Sequence, residues 1–105
     1  MYARVVSAHA QLDKLDQGIE ITRSMEAAWQ QQQGFLGANL LVDRNTGKIL
    51  TISTWATRAD LEATETSGWY QEQVTKFAKT WVEPPVREIF EVAVDIGAAR
   101  AVGGA

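Results

Sequence analysis

Residues 34–55 read GFLGANLLVDRNTGKILTISTW. Two runs of strand-forming residues, Ala38–Val42 and Ile49–Trp55, are separated by the polar segment 43–48, which contains Gly47. Turn formers between two such runs are typical of an antiparallel hairpin, and a glycine supplies a positive φ angle where the turn needs one. We therefore predict two adjacent strands of a sheet whose other members come from the two ends of the chain.

The segment before the hairpin predicts a strand and then a helix. Residues Tyr2–Ala10 alternate loosely and contain β-branched valines, which favours a first strand. One face of this strand would carry Tyr2, Arg4, Val6 and Ala8, and the other Ala3, Val5, Ser7 and His9. From about Lys14 to Gln32 the apolar residues recur at helical spacing, and Gly34 is suited to end that helix. The apolar side of the helix would hold Ile21, Thr22, Met25, Ala28 and Trp29.

The segment after the hairpin predicts two helices and a last strand. Thr57 followed by Asp60 is a short form of the capping box, so a helix is expected from Arg58 to about Glu65 with Leu61 as its apolar anchor. Gly68 interrupts it, and a second helix is expected from Trp69 to about Trp81. Its stripe would be Tyr70, Val74, Phe77, Ala78 and Trp81, with Trp69 off the stripe. Pro84 and Pro85 end the helix, and the alternation over Val86–Ile96 predicts the final strand.

The order strand, helix, strand, strand, helix pair, strand predicts an α+β fold. Right-handed crossovers turn this order into a ferredoxin-like split βαβ unit, a four-stranded antiparallel sheet with its helices on one face. We expect residues 1–96 to form this single domain and residues 97–105, GAARAVGGA, to form a flexible tail. The bare sheet face would expose a large apolar patch, so a second copy of the chain is the expected cover and the protein is predicted to be a homodimer.

Charge and composition limit the classes of partner. The chain has 105 residues and a formal charge of −3, and its ten Lys and Arg residues form no basic stripe, which argues against nucleic acid. No apolar run approaches the length of a membrane span and the start of the chain does not resemble a signal peptide, so we expect no membrane partner and a cytoplasmic protein. Four Trp are many for one modest core, and some are expected to line a cavity or an interface.

The absence of cysteine and the single histidine limit the chemistry. Without cysteine the chain has no disulfide, no thiolate metal site and no cysteine nucleophile. With His9 alone, a zinc or iron site within one chain would have to consist almost entirely of carboxylates. We therefore expect no resident cofactor, and redox chemistry would depend on the substrate or on a borrowed flavin or haem.

Several short motifs resemble the antibiotic-biosynthesis-monooxygenase group of the dimeric α/β-barrel superfamily. These motifs are Gln33-Gly34-Phe35-Leu36-Gly37, Thr51-Ile52-Ser53-Thr54-Trp55, Arg58–Leu61 and Thr66-Ser67-Gly68-Trp69-Tyr70. The resemblance covers nearly the whole chain up to about Val94, with Gln33 where proline is usual. It implies sheet-to-sheet dimers with a pocket between sheet and helices in each subunit.

The resemblance implies a cofactor-free monooxygenase more readily than a haem-cleaving enzyme. The Asn, Trp and iron-ligating His expected in the haem-cleaving branch fall at Ser7, Thr64 and Val74, and none of them matches. In the quinone-forming branch the family Trp corresponds to Trp55, whereas the expected Asn and Tyr are replaced by Thr51 and Leu61.

The candidate site combines the resemblance with the residue chemistry. His9 is the candidate catalytic base because imidazole titrates near neutrality and could deprotonate a phenol, the alternative being a strand-end histidine bonded to backbone or water. The expected substrate-binding residues are Ser7, Thr51, Ser53, Trp55, Leu61 and Trp69. Trp55 would stack on a flat ligand or belong to the core or an interface, and Trp69 would lie at the pocket lip or an interface. We expect His9 and Trp55 to share one mostly apolar pocket for a small aromatic molecule.

Two functions from different classes remain open at this point. The first is a cofactor-independent monooxygenase that acts on an aromatic or quinol-type substrate, which the resemblance implies. The second is a non-catalytic dimer that binds an apolar metabolite or serves as an accessory subunit.

Overall fold

A computed structural model describes residues 1–97. Its strands are β1 (Tyr2–His9), β2 (Phe35–Val42), β3 (Lys48–Trp55) and β4 (Val86–Glu91). Its α-helices are α1 (Leu15–Ser24), α2 (Glu26–Gln30), α3 (Arg58–Thr66) and α4 (Trp69–Phe77), and a 3-10 turn at Leu12–Lys14 precedes α1. Apart from Gly97, the predicted tail lies outside the described residues.

The four strands form one antiparallel sheet in the order β2-β3-β1-β4. The two terminal strands of the chain lie side by side, since Arg4 of β1 is opposite Ile89 of β4. The predicted ferredoxin-like α+β arrangement is confirmed. Strand β1 is central, so a side chain in its middle is enclosed by neighbours on both sides.

The hairpin turns where the sequence predicts it. The Asp43 carboxylate accepts a hydrogen bond from the backbone N–H of Asn45 (2.9 Å), and this bond lowers the pKa of Asp43. Gly47 has φ +80° and lies so close to the backbone that follows β1 that a Cβ atom there would be 2.4 Å from the carbonyl oxygen of Ala10. Glycine is therefore required both for the turn and for the contact with β1.

Two predicted helices are shorter than the sequence pattern suggests. The helix expected over residues 14–32 is divided at Met25. In the turn before Met25, the hydroxyls of Thr22 and Ser24 donate hydrogen bonds to backbone carbonyls of their own helix. The helix expected to reach Trp81 ends at Phe77, and Trp81 instead pairs with Ala10 as an isolated β-bridge. Strand β4 likewise ends at Glu91, five residues before the predicted boundary at Ile96.

The core lies between the sheet and the helices. Trp55 and Leu61 have no exposed surface, and they pack with Met25 and Trp29. Helix α3 begins as predicted, because the Thr57 hydroxyl accepts a hydrogen bond from the Asp60 backbone N–H (3.0 Å). We call the side of the sheet that carries Trp55 the covered face.

The opposite side, which we call the open face, has no helix packed on it in residues 1–97. Strand alternation and register place Val5 of β1, Ile52 of β3 and Phe90 of β4 on this face. Phe90 is 49% exposed in the single chain. Among the described residues, no helix is both long and apolar enough to cross a membrane.

Replacing Trp55 by Ala should lower the free energy of unfolding by about 3–5 kcal/mol, because the indole is fully buried and its removal leaves a cavity. Urea titration followed by circular dichroism measures the change. Leu12→Ala is the control, since Leu12 is 58% exposed and a surface change of this kind should cost no more than about 0.5 kcal/mol. Equal losses in the two variants would contradict this description of the core.

Candidate functional site

A cavity of about 50 Å³ lies between the covered face of the sheet and helix α4. Its aromatic walls are Trp29, Trp69, Tyr70, Phe77 and Trp81, and its polar residues are Arg4, Thr51, Ser53 and Gln73. Aliphatic and thioether side chains complete the lining, from Val6, Met25, Ile49 and Val74. A mostly apolar lining with a few convergent polar groups is typical of small-molecule sites.

A second depression of about 460 Å³ runs along edge strand β2 beside α1 and α2. It is larger but is an open surface groove, bounded in part by the exposed residues Arg23, Glu26 and Asn39. No buried charged group lines it. The cavity beneath α4 is therefore the better candidate for a site that excludes water.

Arg4 is the charged group of the cavity. It comes from the middle of the central strand and is only 2% exposed. Its Nη1 donates to the Thr64 hydroxyl (2.8 Å) and to the Glu65 carboxylate (3.3 Å), both on helix α3. An unpaired buried charge is very unfavourable, so these two contacts allow the guanidinium to be buried.

Glu65 lies between two arginines. Arg87 on β4 donates two hydrogen bonds to the Glu65 carboxylate, one to Oε1 and one to Oε2, the oxygen that also accepts from Arg4. Partial burial opposes ionisation of Glu65, but the hydrogen bonds and charges of Arg87 and Arg4 outweigh it and lower the pKa of the carboxyl group. The three groups form a chain from cavity to surface whose net charge is +1.

Aromatic rings enclose the Arg4 guanidinium. Its central carbon lies 4.2 Å from the centroid of the Tyr70 ring and 5.5 Å from that of the Trp55 ring, both within the range of cation–π contacts. Burial raises the pKa of Tyr70, although the nearby positive charge of Arg4 acts in the opposite direction. The Tyr70 hydroxyl is therefore protonated at neutral pH and can donate a hydrogen bond.

Several other polar groups of the lining are donors. The indole N–H groups of Trp29 and Trp81 are buried and have no hydrogen-bond partner among the described residues. Gln73 accepts a hydrogen bond from Lys76 through its carbonyl oxygen (2.9 Å), which leaves its amide N–H groups as donors. Ser53 accepts from the indole N–H of Trp55 (3.0 Å).

The structure brings together part of the predicted site. Thr51, Ser53 and Trp69 line the cavity. Trp55 lies behind Ser53 in the core, and Leu61 is fully buried and packs with it, so neither belongs to the lining.

The prediction that His9 and Trp55 share one pocket is wrong. Trp55 is opposite Tyr2 at one end of β1, whereas His9 is opposite Lys48 at the other end. Alternation also places Ser7 and His9 on the open face, while Trp55 is on the covered face. The His9 ring is half-exposed, with Nδ1 3.3 Å from a carboxylate oxygen of Glu83.

Arg4 and Gln73 were not predicted as site residues. A signal for Arg4 was present, because this charged residue shares one face of β1 with Val6 and Ala8, which are core residues. No comparable signal marks Gln73, which lies among other polar residues of α4. Within residues 1–97, no group of three or more His, Cys, Asp or Glu is placed to hold a metal ion.

A family model described as antibiotic biosynthesis monooxygenase matches residues 1–80. The chain belongs to this family. Two curated relatives, both uncharacterized proteins of Mycobacterium tuberculosis strains, are 33% identical over 98 residues that cover 89% of this chain. The chain spans only 41% of the length of these relatives.

Solved structures share the fold of this monooxygenase-family chain. A Streptomyces coelicolor monooxygenase in complex with the ligand Nanaomycin D has a TM-score of 0.78 at 13% identity, and the match covers 93% of this chain and 92% of that one. A Nitrosomonas europaea protein of unknown function has a TM-score of 0.73 at 15% identity, with 93% and 95% covered. At these identities the likeness concerns the fold alone.

Glu65→Gln should destabilise the protein at pH 7 and much less at acidic pH. The pKa of Glu65 is lowered in the folded chain, so its contribution is complete above the ordinary carboxyl pKa of 4.5 and is lost as the pH falls through the lowered value. Urea titrations of wild type and variant at pH values from about 3 to about 7 measure the difference in their free energies of unfolding. A difference that stays constant or grows toward acid would contradict the assignment.

Proposed function

We propose that this protein is a monooxygenase that acts on a flat, electron-rich aromatic molecule bound in the cavity beneath α4. The observation that carries the proposal is an aromatic cavity with one buried cation, Arg4, in a chain of the antibiotic biosynthesis monooxygenase family. The solved monooxygenase with Nanaomycin D supports it as a protein of the same fold.

The proposed reaction needs no external reductant. A phenol and O₂ give a quinone and water: one oxygen atom enters the ring, the other leaves as water, and the phenol supplies all the electrons. The protein then has to bind and orient the ring, keep out bulk water and exchange protons with the substrate. These tasks fit a chain without cysteine and with one histidine.

The cavity residues divide these tasks. Trp29 and Trp69, whose ring centroids are 6.4 Å apart, offer aromatic surface for a flat ring. The protonated hydroxyl of Tyr70 and the hydroxyls of Thr51 and Ser53 offer hydrogen bonds to substrate oxygens. A ring system needs more room than the cavity's volume of about 50 Å³, so binding requires the side chains of α4 to move away from the sheet.

His9 does not face this cavity, and the catalytic role predicted for it stays a prediction. We propose instead that a substrate with an acidic hydroxyl needs no protein base for its first ionisation. Tyr70 is then the group placed to exchange a proton or donate a hydrogen bond within the cavity.

We also propose that two copies pair through their open faces. The open face carries Val5, Ile52 and Phe90, and no helix of residues 1–97 packs on it. A second copy can bury this face in a symmetric dimer, because the same apolar patch occurs on both chains.

The second candidate function is ligand binding without catalysis. It is favoured by the cavity lining formed by the described residues, in which Tyr70 and Arg4 are the titratable side chains and no His, Asp or Glu accompanies them. Catalysts commonly pair an acid with a base, whereas a binding protein needs only shape and hydrogen bonds.

Oxygen uptake in the presence of hydroxynaphthalenes should distinguish the two candidates. The monooxygenase predicts protein-dependent consumption of one O₂ per quinone formed. Tyr70→Phe should lower the rate by about tenfold or more, in line with loss of a positioned acid or base, whereas His9→Ala should leave it nearly unchanged. Ligand-induced thermal stabilisation without oxygen uptake would instead establish the binding protein.

Phe90→Asp should dissociate the proposed dimer, because it places a charge within the apolar patch that the paired open faces would bury. Light scattering at micromolar protein should give the mass of two chains for wild type and of one chain for the variant. Val82→Asp is the matched control, since Val82 is 67% exposed and lies outside the sheet. A wild-type mass of one chain would contradict the proposal.

A further inference from the structure

The cavity lining is unbalanced in charge. Among the lining residues Arg4 is the one that carries a charge, and no aspartate or glutamate lines the cavity. Guanidinium groups remain protonated at physiological pH, so the cavity carries a permanent cation. The carboxylate of Glu65 compensates Arg4 from outside the lining, but it is shared with Arg87.

The hydrogen bonds available in the cavity are also unbalanced. Trp29 is 8% exposed, yet its indole N–H has no acceptor among the described residues. The indole N–H of Trp81 is also buried and has no acceptor among them. Both tryptophans belong to the cavity lining, and buried donors are nearly always paired, so two unpaired donors among the lining residues are unusual. The Gln73 carbonyl, an acceptor that could have faced the cavity, is engaged by Lys76.

These two imbalances favour one kind of ligand. A cation with surplus N–H donors is complementary to an electron-rich oxygen that carries negative charge, because such an oxygen satisfies the donors and interacts favourably with the guanidinium. A purely apolar ring would displace water and leave both indole donors unpaired, which is costly. The aromatic walls still require a flat body behind the charged oxygen.

We propose that the cavity selects its ligand as an oxyanion of a flat aromatic molecule, a phenolate or an ionised hydroxyquinone, and that Arg4 is the residue that determines this selectivity. The inference rests on the proposed function and specifies the ionisation state of its substrate class. Thr64 and Glu65 keep the guanidinium in place, and the Trp29 and Trp81 donors satisfy further oxygen atoms of the ligand.

Isothermal titration calorimetry at pH 7 with three related compounds tests the proposal. The hydroxynaphthoquinone lawsone is ionised at this pH, its O-methyl ether has the same ring system but cannot ionise, and unsubstituted naphthoquinone is smaller and neutral. Wild type should bind lawsone about ten- to a hundredfold more tightly than either neutral compound, the range of a charge-assisted hydrogen bond.

Two matched double variants locate the preference. Arg4→Met with Glu65→Gln removes the buried cation together with its carboxylate partner, so that no unpaired charge is left in the core. Arg58→Met with Glu62→Gln removes an exposed ion pair (2.6 Å) of helix α3, which also carries Glu65, and this pair lies outside the cavity lining. The first variant should bind all three compounds equally, and the second should keep the wild-type preference.

Equal wild-type affinity for lawsone and its methyl ether would overturn the inference while leaving an aromatic-binding protein in place. Failure of all three compounds to bind would overturn the proposed site and the inference with it. If the Arg4 double variant does not fold, Arg4→Lys replaces it, since it keeps the charge but loses the planar fork. Arg4→Lys should keep a preference for lawsone, and a complete loss of discrimination in a folded Arg4→Lys protein would count against the charge as its cause.

Discussion

Burial of the Arg4 guanidinium is the constraint on which the rest of the structure depends. A charged group at the centre of the sheet must be paired, and the partners that pair it come from α3. This requirement fixes how α3 lies on the sheet and places the Glu65 carboxylate where Arg87 of β4 also reaches it. One carboxylate, through two ion pairs, therefore joins the central strand, an edge strand and a helix that are distant in sequence.

The same constraint determines the character of the cavity. Helix α4 follows α3 after Gly68, and it places Tyr70 over the guanidinium and Trp69 beside Trp29. The aromatic rings shield the charge from water, which strengthens any interaction it makes with a bound oxygen. The core and the candidate site are consequently one structure, and a change that loosens α3 should also change ligand binding.

The sequence was sufficient for the fold because the fold depends on local signals. The hairpin, the Thr57 cap and the alternation of β4 each act within a few residues, and each was identified. The site depends on long-range contacts, namely which face of the sheet the helices cover and how the strands are paired in register. Alternation grouped Ser7 with His9 correctly, but only the pairing of His9 with Lys48 shows that this group lies far from Trp55. The end of α4 was missed for the same reason, since it is the distant bridge to Ala10 that takes Trp81 out of the helix.

We propose that the ligand binds on the covered face beside Arg4, not on the face that carries His9. Indole N–H signals in a ¹⁵N–¹H correlation spectrum, assigned by Trp→Phe variants, report on this directly, since two of the four Trp have unpaired buried donors. On titration with lawsone, the signals of Trp29 and Trp81 should move to lower field as the two indole N–H groups gain an acceptor. Changes confined to the His9 imidazole, with both indole signals unmoved, would contradict it.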